Sequence, residues 1–265
     1  MWGLAGVSGS RVLLRIEDHD RERSRPIFDA AILEDLEWLG FEPDAGPVRQ
    51  RGNDEPYDAA LDRLGGLGAV YRCDCTRTTF HHWSEVHGRA WSGPGCPGAC
   101  RERALPDRDD LTLRVALGSG DESWSDWLLG LRSGDPSASG DLPVRDRHGN
   151  WTYGFAVVVD DLRQGITLVV RGEDLAEATP AQIRLARLLG RDVPPTFAHH
   201  SLIRKASGAK LSKADGDTGV RELRAAGWTA GAVIAAAAEA VGLLSERRSL
   251  GAGDVDELVS AHLPG

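Results

Sequence analysis

Residues 11–20 have the sequence RVLLRIEDHD, in which a short apolar run ends in four polar residues. The run predicts a buried strand over 11–16, and the acidic residues after it predict a turn at the end of that strand. A helix is predicted next, with Ser24 as its N-cap and Pro26 in its first turn, because apolar residues recur at helical spacing from Ile27 until Gly40. This stretch is therefore one βα unit.

The same alternation of strand and helix recurs along the chain. A helix is predicted from Asp54 until the glycines at 65–68, followed by a strand at 70–71. The β-branched runs 155–159 and 166–170 are typical of parallel strands buried on both faces. Thr179 is predicted to cap a further helix. Strands that alternate with helices predict an α/β, doubly wound fold.

Two segments depart from this pattern. Periodicity is lost over 73–103, which is rich in Cys, His, Trp, Gly and Pro and is interpreted as an insertion. The segment 118–140, rich in Gly, Ser and Asp, is predicted to form surface connections. After about Val220 the pattern becomes helical again, so a short helical tail is predicted.

Composition limits the class of protein. The 265 residues carry 31 basic and 40 acidic side chains, a formal charge of −9, which excludes a basic nucleic-acid tail. No apolar stretch approaches the roughly 18 to 20 residues that span a bilayer, and the N-terminus lacks the basic region of a secretory signal. We expect a cytoplasmic protein with no membrane association. Four cysteines are too few for a disulfide scaffold.

The cysteines fall into two pairs, Cys73/Cys75 and Cys96/Cys100. Four thiolates complete a tetrahedral shell for Zn²⁺, and a loop without periodicity is what a metal would hold together. Such a site has no open coordination position, so the predicted zinc is structural. Two alternatives remain: four small buried residues without metal, or the replacement of one cysteine by a histidine from positions 81, 82 or 87.

The three lysines of the chain lie within nine positions, at Lys205, Lys210 and Lys213, whereas every other basic residue is Arg. Gly and Ser residues accompany them. A mobile loop with several ammonium groups is suited to close on a polyphosphate and to stabilise charge on a departing pyrophosphate. An ordinary solvated turn is the alternative.

Residues 210–213, KLSK, resemble the KMSKS signature of class I aminoacyl-tRNA synthetases. Three other stretches resemble the glutamyl-tRNA synthetases in the same order along the chain: LRIEDHDRERS at 14–24, YGFAVVVDD at 153–161 and GITLVVRGED at 165–174. They are closer still to the short paralogues, the glutamyl-queuosine tRNA(Asp) synthetases. The resemblance extends from residue 1 to about 245.

The resemblance implies a Rossmann-like catalytic domain over 1–200 with a zinc-bearing insertion at about 73–115, and a lysine loop with a helical tail over 201–265. It implies that glutamate is activated by ATP with Mg²⁺ and transferred to tRNA, and in the short paralogues to a queuosine nucleoside of tRNA(Asp). The implied residue roles are α-amino binding by Glu17, carboxylate binding by Tyr153 and Arg171, catalysis by Lys210, Ser212 and Lys213, ATP binding by Lys210 and Lys213, and zinc binding by Cys73, Cys75, Cys96 and Cys100.

The chemistry of these residue types agrees with the implied substrate, since an anion suits the ammonium of an amino acid and a planar guanidinium suits a carboxylate. The resemblance also places an opening strand and an HIGH signature ahead of Met1, so impaired catalysis is expected of the polypeptide as given. Two alternatives remain for the function: a discrete glutamyl-tRNA synthetase that charges a tRNA 3′ end, or a catalytically silent paralogue that binds glutamate or tRNA. We expect a monomer.

Overall fold

The computed structural model describes residues 1–19, 24–88, 91, 93, 95–203, 219–246 and 248–263. The helices of these residues are α1 (Trp2–Ser8), α2 (Pro26–Leu39), α3 (Glu55–Gly66), α4 (Arg77–His81), α5 (Trp83–His87), α6 (Tyr153–Arg163), α7 (Thr179–Leu188), α8 (Val220–Ala225), α9 (Ala230–Ala240) and α10 (Val255–Ser260). The strands are β1 (Leu13–Ile16), β2 (Ala45–Arg49), β3 (Val70–Cys73), β4 (Thr112–Val115), β5 (Glu122–Asp126), β6 (Gly130–Gly134), β7 (Leu142–Arg145), β8 (Leu168–Gly172) and β9 (Thr196–His200). None of the helices in this part of the chain has both the length and the apolar character needed to cross a membrane.

The chain divides into two compact units, of which the first comprises Met1–Ile16, Glu22–Arg49 and His200–Gly265. In this unit β1 pairs with β2 in parallel. Its core is formed by apolar side chains of the tail helices together with the end of α2: Ile234, Ala235, Ala238, Leu250, Leu258, Leu39 and Phe41. The predicted strand at 11–16, the helix that ends at Gly40 and the helical tail are confirmed.

Helix α1 packs against α10 with the two backbones close together. A Cβ atom added to Gly3 would lie 2.6 Å from Cγ2 of Val259, and one added to Gly6 would lie 2.5 Å from Cβ of Asp256. Real Cβ atoms do not approach other atoms so closely, so this contact depends on the two glycines. Leu4 and Ala5 are buried beside them.

The second unit comprises Glu17–Arg21 and Gln50–His199. It contains a three-stranded antiparallel sheet in the order β3-β4-β7 and a four-stranded sheet in the order β6-β5-β9-β8. In the second sheet β5 pairs antiparallel with β6 and parallel with β9. The sheets of this α/β fold are thus mixed rather than one continuous parallel sheet. The largest apolar cluster lies around α3, α6 and α7 and includes Tyr57, Leu64, Phe155 and Leu185.

The prediction of a strand at 155–159 is wrong, because these residues lie in the middle of α6. Every residue from Phe155 to Asp160 is buried, so other parts of the protein surround this stretch of the helix. A continuous apolar run has the same pattern in a fully buried helix as in a fully buried strand. Pattern alone therefore could not separate the two structures here.

The predicted N-caps at Ser24 and Thr179 are also wrong. Helix α2 follows Arg25 and α7 follows Ala178, and neither capping position makes a side-chain cap hydrogen bond. The hydroxyl of Thr179 instead accepts a hydrogen bond from Arg171. A helix-start motif is weakened when its hydroxyl has a tertiary partner.

The predicted surface connections at 118–140 contain the hairpin of β5 and β6 instead. Along β5 the side chains alternate between buried and exposed, and Glu122, Trp124 and Asp126 are the buried ones. Two of these three are acidic, so the strand carries no apolar alternation in its sequence. Their partners lie far along the chain, which is why sequence pattern misses them.

Glu122 shows how an inward carboxylate is stabilised on β5. It accepts hydrogen bonds from Nε of Arg184 at 2.6 Å and from Nε of Arg187 at 2.8 Å. Burial raises the pKa of Glu122, but the two guanidinium groups outweigh this effect and hold the pKa below its ordinary value. The ionised carboxylate thus stabilises the fold at pH values above the ordinary pKa of a glutamate.

We expect Glu122→Gln to lower the free energy of unfolding by about 1.5 kcal/mol at neutral pH, since a charge-assisted hydrogen bond is lost. The difference from wild type should disappear as the pH falls through the lowered pKa of the folded state, because a protonated Glu122 resembles Gln. Urea unfolding measured from neutral to acid pH checks this. A difference that is constant across that range would contradict the assignment.

Candidate functional site

The four cysteines form one buried cluster. Their Sγ atoms all lie within 4.8 Å of one another. Sγ of Cys75 is 3.9 Å from Sγ of Cys96 and 3.5 Å from Sγ of Cys100. All four are free thiols rather than disulfides. The structure thus brings together the two pairs that the sequence predicted as metal ligands.

These distances fit a tetrahedral zinc. A Zn–S bond of about 2.3 Å implies S···S separations of about 3.8 Å around a tetrahedron. A buried cluster of four thiols is compatible with a structural zinc site, which would have no open position for catalysis. Thiol hydrogen bonds from Cys73 and Cys75 lower the pKa of Cys96, whereas hydrogen bonds from its neighbours raise the pKa of Cys75 and burial raises that of Cys100.

Charged side chains hold the cluster from outside. Arg103 donates from Nη1 and Nη2 to the carboxylate of Asp74 at 2.7 and 2.8 Å. Oδ1 of Asp74 lies 3.5 Å from Sγ of Cys100. The hydrogen bond with Arg103 lowers the pKa of Asp74. In metal sites, hydrogen-bonding groups that lie behind the ligands orient them in this way.

Asp141 joins the cluster to β7. Its backbone N–H donates to the carbonyl of Cys96 at 2.8 Å, and its carboxylate accepts from the hydroxyl of Tyr71 at 2.5 Å and from Nε of Arg101 at 2.7 Å. Beside this contact, a Cβ atom added to Gly140 would lie 2.7 Å from the carbonyl carbon of Gly95. The insertion is thus attached to the sheet through backbone as well as side chains.

The residues after β1 lead into the predicted glutamate site. Oδ1 of Asp18 accepts the backbone N–H groups of Gln50 at 3.1 Å and Arg51 at 2.7 Å. The side chain of Gln50 donates to Asp160 at 2.8 Å and contacts Nδ1 of His19 at 2.6 Å. Asp160 is fully buried and also accepts from the hydroxyl of Tyr57 at 2.9 Å. The loop that carries Glu17 is therefore fastened to α6.

Glu17, Tyr153 and Arg171 are brought together by this arrangement. Burial raises the pKa of Tyr153, the negative charge of Glu17 raises it further, and Arg171 opposes the rise by its charge and a hydrogen bond. Burial also lowers the pKa of Arg171, which Tyr153 partly offsets. An anion, a phenol and a guanidinium thus interact in one place.

Arg171 differs from the prediction in one respect: the forked N–H groups of its guanidinium donate to other side chains of the protein. Nε donates to Nε2 of His199 at 3.0 Å, Nη1 donates to Oε1 of Gln182 at 2.5 Å, and Nη2 donates to Oγ1 of Thr179 at 2.7 Å. Since Tyr153 also bonds to this side chain and a guanidinium has five N–H groups, few donors remain for a substrate. A bidentate grip on a substrate carboxylate is therefore not available in this geometry.

Sequence reasoning missed the partners of Arg171. Thr179 and Gln182 were predicted only as parts of a helix capping box, and Asp126 and His199 were not singled out. Asp126 and His199 are both buried, and they lie in different strands, β5 and β9. A buried polar group needs a partner, but sequence alone does not show which one. The predicted ATP and catalytic residues Lys210, Ser212 and Lys213 lie outside the described residues, as does Lys205.

Comparison with known proteins identifies the family of the chain. The family model described as "tRNA synthetases class I (E and Q), catalytic domain" matches residues 1–239. A protein of Symbiobacterium thermophilum named glutamyl-Q tRNA(Asp) synthetase is 39% identical over 261 residues, which covers 92% of this chain and 80% of that protein. The glutamate–tRNA ligase of Magnetococcus marinus is 36% identical over 228 residues, covering 85% of this chain and 48% of the ligase.

The fold has a solved counterpart. The crystal structure of a glutamate tRNA ligase from Elizabethkingia meningosepticum superposes with a TM-score of 0.75 at 24% identity. The match covers 97% of this chain and 59% of the ligase, so the chain spans less than two thirds of that protein. The family match over most of the chain and the identity with curated relatives lead to the same conclusion: the chain belongs to the class I tRNA synthetases (E and Q) and comprises their catalytic domain.

Proposed function

We propose that the protein activates glutamate with ATP and transfers it to tRNA. The observation that carries this proposal is the cluster of Glu17, Tyr153 and Arg171, which supplies an anion, a phenol and a cation for one amino acid. In the first step an oxygen of the glutamate α-carboxylate attacks the α-phosphorus of ATP, and pyrophosphate leaves. In the second step a hydroxyl oxygen of the tRNA attacks the adenylate carbonyl, and AMP leaves.

The residues of this chain bind and orient glutamate in that reaction. Glu17 accepts hydrogen bonds from the α-ammonium of glutamate. The Tyr153 hydroxyl and the remaining N–H of Arg171 donate to its carboxylates. Because the fork of Arg171 is occupied by Gln182, Thr179 and His199, the guanidinium contributes a fixed positive charge and a single directed donor. Lys210, Ser212 and Lys213 are proposed to act on ATP, with Mg²⁺ accompanying the nucleotide.

The acceptor that we propose is a queuosine nucleoside of tRNA(Asp). Relatives named glutamyl-Q tRNA(Asp) synthetase support it, since the chain covers 80% of the length of one of them but only 48% of a glutamate–tRNA ligase. Use of tRNA as the acceptor places the reaction in the cytoplasm. A monomer stays the prediction for the assembly.

The domain organisation that we propose rests on the same similarity to the glutamyl-Q tRNA(Asp) synthetases. Residues 1–200 form the catalytic domain with the insertion at about 73–115, and residues 201–265 form the lysine loop and the tail. One structural Zn²⁺ bound by Cys73, Cys75, Cys96 and Cys100 holds the insertion together. It takes no part in either chemical step.

Membership of the synthetase family favours an active enzyme over the impaired catalysis expected from the sequence, so we expect glutamate-dependent exchange of pyrophosphate into ATP. Labelled glutamate should be transferred to tRNA from cells that contain queuosine. Transfer to tRNA from cells without queuosine should be at background, because the acceptor hydroxyl is absent. Equal charging of both tRNA pools would favour the discrete glutamyl-tRNA synthetase. Glutamate binding without exchange would favour the silent paralogue.

A further inference from the structure

His199 lies at the centre of a buried polar chain that reaches Arg171. On one side its Nδ1 is 2.5 Å from Oδ2 of Asp126, and on the other its Nε2 accepts from Nε of Arg171 at 3.0 Å. His199 and Asp126 are 1% and 4% exposed, respectively. The two groups are therefore largely shielded from water, and their polar partners lie within the protein.

The contacts determine where His199 carries its proton. The Nε–H of a guanidinium can only donate, so Nε2 of His199 must present its lone pair. The hydroxyl of Thr179 is also 3.3 Å from Nε2. The proton of the neutral ring then lies on Nδ1, where it is donated to the carboxylate of Asp126.

Asp126 is itself held in a fixed orientation. Its Oδ1 accepts the backbone N–H groups of Leu128 and Leu129 at 3.0 Å each, and that of His199 at 3.3 Å. Only Oδ2 faces the imidazole. Burial raises the pKa of Asp126, but these hydrogen bonds outweigh it and lower the pKa, so the group is a carboxylate at neutral pH.

We propose that Asp126 and His199 are positioning residues that orient Arg171 toward glutamate by keeping the His199 proton on Nδ1. This proposal rests on the proposed role of Arg171 in glutamate binding. Neither residue touches the substrate. Arg171 is oriented because the acceptor for its Nε–H exists only in this tautomer.

Asp126→Asn tests the proposal with almost no change in shape. The amide oxygen keeps the three backbone N–H donors at the Oδ1 position, so the NH₂ group faces Nδ1 of His199. The imidazole must then accept at Nδ1 and carry its proton on Nε2, directly opposite the Nε–H of Arg171. Two donors then face each other, and Arg171 loses its orientation.

We expect the Michaelis constant for glutamate in pyrophosphate exchange to rise about 10-fold in Asp126→Asn, the effect of one charge-assisted hydrogen bond. The Michaelis constant for ATP should change less than about two-fold, since the nucleotide does not depend on that bond. Glu122→Gln is the matched control: it removes a buried carboxylate of the same strand, and it should leave both constants unchanged.

Histidine variants and NMR complete the test. In His199→Gln the amide can accept from Arg171 and donate to Asp126, so glutamate binding is retained, whereas His199→Leu offers neither group and should show the rise. With ¹⁵N-labelled histidine, the wild-type spectrum should show His199 protonated on Nδ1, and Asp126→Asn should move the proton to Nε2.

Failure of the positioning role and failure of the proposed function give different results. A wild-type His199 protonated on Nε2, or an unchanged Michaelis constant for glutamate in both Asp126→Asn and His199→Leu, overturns the positioning role while leaving the proposed function intact. A wild-type protein that neither binds glutamate by calorimetry nor catalyses exchange overturns the proposed function, and the positioning role with it.

Discussion

Cys96→Ser is expected to reduce bound zinc from about one ion per chain to less than about a tenth of that, because a serine hydroxyl is a poor ligand in a thiolate site. The insertion should loosen as well, since the metal contributes folding free energy directly. Trp83 is buried in the same apolar cluster as the four cysteines. Metal analysis after expression with added zinc, together with tryptophan fluorescence, measures both effects.

His82→Ala is the control for this experiment. His82 lies in the same insertion and contacts Glu85 at 2.9 Å, on the surface. It should retain the full zinc content. Zinc that survives Cys96→Ser but is lost in His82→Ala would show that the ligand set is wrong, and a wild-type protein without zinc would show that the cysteines are only a buried cluster. Glutamate affinity should be equal in all three proteins.

Arg171→Lys is expected to weaken glutamate binding by about 1.5 to 3 kcal/mol. Lysine keeps the positive charge, but it cannot reach His199, Gln182 and Thr179 together in the geometry of the guanidinium. Because these acceptors are buried, we also expect the free energy of unfolding to fall by roughly 2 kcal/mol. Calorimetry with glutamate and urea unfolding are the two measurements.

Arg184→Lys separates binding from stability. Arg184 lies on α7, bonds to Glu122 and donates to the backbone carbonyl of Leu117 at 2.7 Å. Its replacement should destabilise the fold but leave glutamate affinity unchanged. If Arg171→Lys binds glutamate as wild type does, Arg171 is a structural residue and the proposed amino-acid site is wrong. Glutamine should bind more weakly than glutamate, because it lacks the second charge.

Local patterns predicted the features that local sequence determines. The cluster of Cys73, Cys75, Cys96 and Cys100 was predicted because two close pairs of one residue type are typical of residues that share a site. The strand before Glu17 and the helix that ends at Gly40 were predicted because each has its own apolar period and a clear end.

Features that depend on distant partners could not be predicted in this way. The run 155–159 lies in a helix that is buried by the rest of the protein. The apolar pattern of these five residues does not distinguish such a helix from a buried strand. Asp126 and Glu122 look like surface residues until β5 places them against His199 and the arginines of α7. The resemblance gave Arg171 a role, but only the structure reveals that the protein itself occupies its fork.

The attachment of the cysteine cluster to β7 has a consequence for the order of folding. All four cysteines lie within 73–100, so they leave the ribosome and can come together before Asp141 has left it. Closing that short loop costs little chain entropy, whereas the hydrogen bond from Asp141 to Cys96 must wait for the later segment. The insertion would thus fold first, and the carbonyl of Cys96 would already be in place when Asp141 binds to it.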